Sequence, residues 1–166
     1  MKRIGIAGAV AAMALAIQAS AQEITRGQVT NLPVPRFVSM KSATANVRRG
    51  PSTTNRIDWK LTHRGTPLLV LAEYQEWFRV VDVDGEGGWV HTALLSPART
   101  VLVQEDMLAL RKSPDNAAAP LARLEAGVIA RLDTCDTNWC EVRIDGYTGW
   151  LPRDRIWGDS NDLPNE

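Results

Sequence analysis

A short pattern recurs in the second half of the chain at almost unchanged spacing. Gly65 and Trp77 stand twelve residues apart, and so do Gly127 and Trp139. Each tryptophan is followed by an Asp-Gly pair, Asp84-Gly85 or Asp145-Gly146, and then by Gly88-Trp89-Val90 or Gly149-Trp150-Leu151. From Trp77 to Trp89 is twelve residues and from Trp139 to Trp150 eleven, a one-residue difference that the Asp-Gly turn absorbs most easily. Upstream, Val47-Arg48-Arg49-Gly50-Pro51 answers Leu110-Arg111-Lys112-Ser113-Pro114. Ordered matches of this kind restrict the chain to two copies of one small β unit.

Ahead of the repeat, Lys2 and Arg3, the apolar stretch Ile4 to Ile17 and the small residues Ala19-Ser20-Ala21 follow the order of an export signal. Cleavage is expected near Ala21, leaving a periplasmic or secreted protein that starts at Gln22. The apolar stretch is short for a bilayer and no second one follows, so no transmembrane anchor is expected. The remaining 145 residues divide into halves, each of roughly 60 residues, a size at which a lone barrel is marginal and a packed pair buries more.

After the signal, 17 basic side chains face 19 acidic ones, a balance that does not suit nucleic acid. The charge is uneven along the chain. Between residues 36 and 64, Arg36, Lys41, Arg48, Arg49, Arg56, Lys60 and Arg64 face only Asp58, a net +6, and residues 65 to 90 carry −4. Either this is a solvated loop neutralised by neighbouring acids after folding, or it is a loop that faces an anion.

Cys135 and Cys140 are the only cysteines. Asp136-Thr137-Asn138-Trp139 between them suits a four-residue hairpin loop, which sets the two sulfurs opposite each other. Export makes a disulfide credible, and its short loop limits the stabilisation to about 2 kcal/mol. The alternative is a redox or metal pair, but the spacing is not the helix-start C-x-x-C that lowers a thiol pKa. His63 and His91 lie at no recognisable ligand spacing, so neither a metal nor a cofactor is expected.

Along the chain, residues 22 to 36 read as a flexible lead-in, with order from Phe37. The first unit spans 37 to 104, with strands over 43–47, 67–71, 77–83 and 87–90, and Val101 to Val103 as its last strand. The second spans 105 to 158, with strands over 107–110, 128–134, 139–144, 147–151 and 156–157. Residues 117 to 124 favour helix by composition, but Pro120 interrupts them and the repeat assigns them to a long loop. Residues 159 to 166 form a C-terminal tail.

Both halves resemble the bacterial Src-homology-3-like domain, in its exported tandem form, over residues 37 to 158. The likeness rests on the opening Val47-Arg48-Arg49-Gly50-Pro51-Ser52, on hairpins that begin with Trp77 and Trp139, and on Gly88-Trp89-Val90-His91 and Gly149-Trp150-Leu151-Pro152. It implies an all-β protein with two small, bent five-stranded barrels and little helix. Peptide-binding relatives outside bacteria line a groove with a tryptophan at the hairpin start, a proline after the aromatic strand and a tyrosine three residues later. Trp77 and Trp139 match the first, and Pro152 matches the second where repeat one has His91. Leu94 and Arg155 stand at the tyrosine position.

Trp89 and Trp150 lie between a glycine and an aliphatic on a central strand and read as core. Trp77 and Trp139 sit at a hairpin end, where an indole either faces a ligand or packs the turn. Trp59, among Arg56, Lys60 and Arg64, either stacks on a sugar or peptide or pins its own loop.

No nucleophile with a base, no carboxylate pair and no metal cluster is evident, so no catalytic residue is assigned. The expected function is a non-catalytic envelope binding module that holds an anionic ligand, with peptidoglycan stem peptides or a periplasmic protein as partner. Its candidate ligand-binding residues are Arg56, Trp59, Lys60, Arg64, Trp77 and Trp139. The alternative is a structural adaptor within an envelope complex.

Overall fold

A computed structural model describes residues 25 to 163. The proposed export signal and its cleavage site lie outside the described residues. Among the described residues, fourteen strands form two antiparallel sheets. The first holds β1 (Arg36–Met40), β2 (Ala45–Arg48), β3 (Ile57–Leu61), β4 (Pro67–Tyr74), β5 (Trp77–Val81), β6 (Gly87–His91) and β7 (Leu95–Ser96). The second holds β8 (Thr100–Val103), β9 (Leu108–Arg111), β10 (Pro120–Leu124), β11 (Ile129–Cys135), β12 (Trp139–Ile144), β13 (Tyr147–Pro152) and β14 (Ile156–Trp157). The strand orders are β3-β2-β6-β5-β4-β1-β7 and β10-β9-β13-β12-β11-β8-β14, the same order shifted by seven strands. The duplication therefore extends to every strand pairing.

Register follows the alternation of each strand. In β2 the buried Ala45 and Val47 alternate with half-buried Asn46 and Arg48, as a sheet with one face on a core requires. Met40, Val47, Leu68, Val70, Val80 and Val90 fill the first core, and Val101, Val103, Leu110, Val142, Leu151 and Ile156 fill the second. Each core is small and made largely of β-branched and leucine side chains, the types that pack best on a pleated surface.

The motif glycines have a direct steric cause. A Cβ on Gly88 would stand 2.7 Å from the Arg48 carbonyl oxygen, and one on Gly149 would stand 2.8 Å from that of Arg111. Only a bare α-carbon lets β6 and β13 cross β2 and β9 so closely. The one-residue offset between the repeats lies in the turn, as expected. Ile144 pairs with Tyr147 around Asp145-Gly146, while Asp82 donates its amide to Glu86 O around the longer Val83-Asp84-Gly85.

Several sequence expectations change. Each sheet has seven strands in place of the five expected, because the lead strand, the outer strand and the two-residue closing strand all pair. Val101 to Val103 opens the second sheet and does not close the first, since β8 pairs with β11 and β14. The basic stretch around Trp59 and the presumed loop over 120–124 are the strands β3 and β10. Both lie at a sheet edge, where exposed charges and a leading proline are tolerated because only one side must pair.

The described part of the lead-in, from Thr25, is also held in place. Arg26 bridges to Pro33, and the turn between them closes over Glu73. The tail begins with a short 3-10 turn, Ser160–Asp162, anchored by the buried Asp159.

The units meet directly. Phe37 and Trp157 pack edge to face at 5.0 Å, and the Thr100 hydroxyl donates to the Gly65 carbonyl at 2.6 Å. Among the described residues no helix is long and apolar enough to cross a membrane.

Candidate functional site

The hairpin tryptophan, the residue after the aromatic strand and the following 3-10 turn form a groove at the same place in both units. In the first, Asn46, Arg48, Thr53, Trp77, His91 and Leu94 line a groove of about 260 Å³. In the second, a groove of about 620 Å³ contains Trp139, Pro152 and Arg155, with Asn116, Asn138 and Gln104 among its other walls. The register explains the recurrence, because Trp77 pairs with His91 on β6 and Trp139 pairs with Pro152 on β13.

Trp77 is only 7% exposed and meets His91 edge to face at 5.1 Å. The His91 Nδ1 accepts the Ala93 amide proton, which leaves the ring proton on Nε2, 3.5 Å from a Glu76 carboxylate oxygen. Arg48 crosses the groove, and its Nη1 donates to the carbonyls of Thr53 and Asn55 at 2.8 and 2.7 Å. Its Nε and Nη2 make no hydrogen bond to the described residues. The loop that Arg48 braces runs from Arg49 to Arg56, whose guanidinium groups share the single carboxylate of Asp58. The Arg56 hydrogen bond, followed by the weaker Arg49 contacts, outweighs desolvation and holds the Asp58 carboxyl below its ordinary range. One excess positive charge remains at the rim.

The structure divides the candidate residues. Trp77 lines the first groove beside Thr53 of the 49–56 loop, while Arg56 pairs with Asp58 and is not among the lining residues; Trp139 takes the equivalent place in the second unit. Trp59 leans on the first core and does not line the groove. Lys60, its neighbour along β3, is exposed and points to the opposite face by strand alternation. Arg64 is exposed in the turn before β4. Trp89 and Trp150, read as core, are half-buried, and the core positions are their neighbours Val90 and Leu151, each 0% exposed. The large ring belongs to the outer side of the strand, where it pairs with Arg48 or Arg111.

Asn46, Thr53, Gln104, Asn116 and Asn138 carry no sequence pattern that predicts a groove. Only the mapping of Leu94 and Arg155 beyond each aromatic strand pointed toward it.

Each unit also carries a buried acid. Glu73 on β4 accepts the amides of Val29 and Thr30 at 2.9 and 2.8 Å, the Thr30 hydroxyl at 2.6 Å and Arg36 at 2.6 Å. Burial raises its pKa, but the Thr30, Val29 and Arg36 donors together outweigh burial and hold it below the usual glutamate value. A Cβ on Gly27 would lie 2.2 Å from this carboxylate, so the turn closes only over glycine.

In the second unit, Arg153 binds both oxygens of Asp159, at 2.8 and 2.6 Å. Desolvation raises Asp159, and Arg153 with the Asn161 amide reverses the balance and keeps it low. For Asp162 desolvation prevails over the Gly158 and Asp159 amides, and its pKa is raised.

Cys135 and Cys140 are joined by a disulfide across the β11–β12 hairpin, with Cα atoms 4.0 Å apart. They form, with Asp159, the one grouping among the described residues whose ligand-type atoms converge. Bonded sulfurs offer no thiolate, so this cluster does not bind a metal as it stands.

Residues 41–97 and 104–158 each match the family model described as the bacterial SH3 domain. Among curated proteins none matches. Among solved structures the chain is similar to NlpC2 from Trichomonas vaginalis, at 12% identity and a TM-score of 0.37, over 79% of this chain and 51% of that one. It is also similar to an NlpC/P60 family protein from Bacillus cereus, at 14% identity and a TM-score of 0.34, over 78% of this chain and 59% of that one. The chain thus spans about half the length of these structures, and likeness at this level adds nothing to the reading of its site. The matched segments, the shared strand order and the repeated Gly-Trp strand lead to one conclusion: this chain belongs to the bacterial SH3 domain family and carries the domain twice in tandem.

Proposed function

We propose that the protein is a non-catalytic, exported binding module of the cell envelope, and that its first groove receives an anionic ligand such as a peptidoglycan stem peptide. Bacterial SH3 domains are often binding modules for cell-wall components. The observation that carries this reading is the convergence of Trp77, His91 and the unengaged edge of Arg48 beneath a loop with surplus positive charge. The exposed edge of Trp77, with Leu94, supplies apolar contact and a guanidinium pairs with carboxylates, the two requirements of a short acidic peptide. The disulfide suits an oxidising compartment, in keeping with export.

The test is retention of the purified protein on isolated peptidoglycan. Retention at low salt, its weakening at high salt, and the same weakening in an Arg49→Ala, Arg56→Ala double variant support the reading, because exposed charge pairs are screened. Absence of retention at low salt refutes it and favours the adaptor role. Sustained turnover of cell-wall fragments by the purified chain contradicts its non-catalytic part.

A further inference from the structure

We infer that the second groove is a separate site for a neutral saccharide, a ligand class distinct from the anion assigned to the first. The charged side chains around it are already committed. Arg153 is held by Asp159, Ser160 and the Asp136 carbonyl, and Arg155 by Glu105 and Asp154. The Asp162 carboxylate accepts the amides of Gly158 and Asp159.

The uncommitted groups are neutral. Gln104, Asn116, Thr137, Asn138 and Asn161 all line the groove, and their side chains make no hydrogen bond among the described residues. All five are exposed, so their amides and hydroxyl are free to exchange water for a ligand. Half-buried Trp139 lies among them.

This set matches a sugar. A pyranose ring has one face of C–H groups that suits an indole, and a rim of hydroxyls that both donate and accept. Amide side chains offer both roles in one plane, whereas an anion needs a cation in surplus, and here both guanidinium groups are already neutralised by carboxylates. At about 620 Å³ the groove has room for more than one ring. An acetamido sugar adds an amide that pairs with asparagine or glutamine, so a linear N-acetylglucosamine trimer is the suitable probe.

The site does not depend on the reading of the first groove. Titration of the isotope-labelled full chain with the trimer, followed by NMR, is expected to move the Trp139 indole and the Asn116 and Asn138 side-chain amides, with equal affinity at low and high salt. The Asn116→Ala, Asn138→Ala double variant is expected to weaken binding about tenfold or more, and Trp139→Ala to abolish it, with the resonances of the first core unmoved. No shift at the highest sugar concentration, shifts confined to the first unit, or binding that salt removes would overturn the assignment. Peptidoglycan retention that neither salt nor the Arg49→Ala, Arg56→Ala variant weakens, with these sugar-induced shifts intact, would count against the first groove alone.

Discussion

The two barrels share a strand order, yet they solve the same local problem with different chemistry. The repeat spacing sets Glu73 and Cys135 at corresponding places, four residues before the hairpin tryptophan. In the first unit this position is a buried carboxylate that gathers the preceding segment through Arg36, Val29 and Thr30. In the second it is half of a disulfide, and the segment held in place follows the barrel, through Asp159 and Arg153. One unit is clasped by charge and hydrogen bonds from its N-terminal side. The other is pinned covalently and capped from its C-terminal side. A shared backbone therefore does not dictate how its open end is closed.

The largest effect is expected from Glu73→Ala, which leaves Arg36 without its partner and strips three donors of their acceptor. It should destabilise the first unit by about 3 kcal/mol and leave the second core unchanged, as read by site-resolved hydrogen exchange. Equal loss in both units would show that the barrels unfold as one body, and the contrast would collapse. Next, replacing Cys135 and Cys140 with alanine should cost about 2 kcal/mol, because the closed loop is short. That loss should appear in β11 and β12 first.

Acid provides the smallest and most discriminating test. Glu73 and Asp159 have lowered folded pKa values, so the stability they add is complete above the ordinary carboxylate range and is lost as pH falls through the folded values, below about pH 4. Asp162 has a raised pKa, so the folded state takes up its proton more readily and gains stability over the same descent. The second unit holds both signs and the first only the destabilising one. On acid titration the first unit should therefore loosen at a higher pH than the second, and the reverse order would refute this account.

Much of the architecture was legible as pattern. The glycine, tryptophan and Asp-Gly spacing predicted the duplication, and the cysteine spacing predicted the hairpin disulfide. Trp77 and Trp139 were recognised as an equivalent pair. The outer strands were not legible, because β3 and β10 alternate around charges and a proline and their exposed faces resemble loops. Nor were Trp89 and Trp150, since a strand between glycine and an aliphatic alternates, and the smaller neighbour holds the core. The basic stretch looked like one patch because it is contiguous in sequence. Folding sends Arg36 to Glu73, Arg48 into the groove, and Arg49 and Arg56 to Asp58.

The sequence by itself determined that one small β unit is built twice, because turn chemistry and strand alternation are local and repeat with the residues that carry them. Which charges stay free, and which tryptophans face a groove, was decided only by the tertiary structure. Those outcomes depend on partners far apart in the chain, such as Glu73 and Thr30, or Trp139 and Asn116, and local pattern holds no record of who will meet whom.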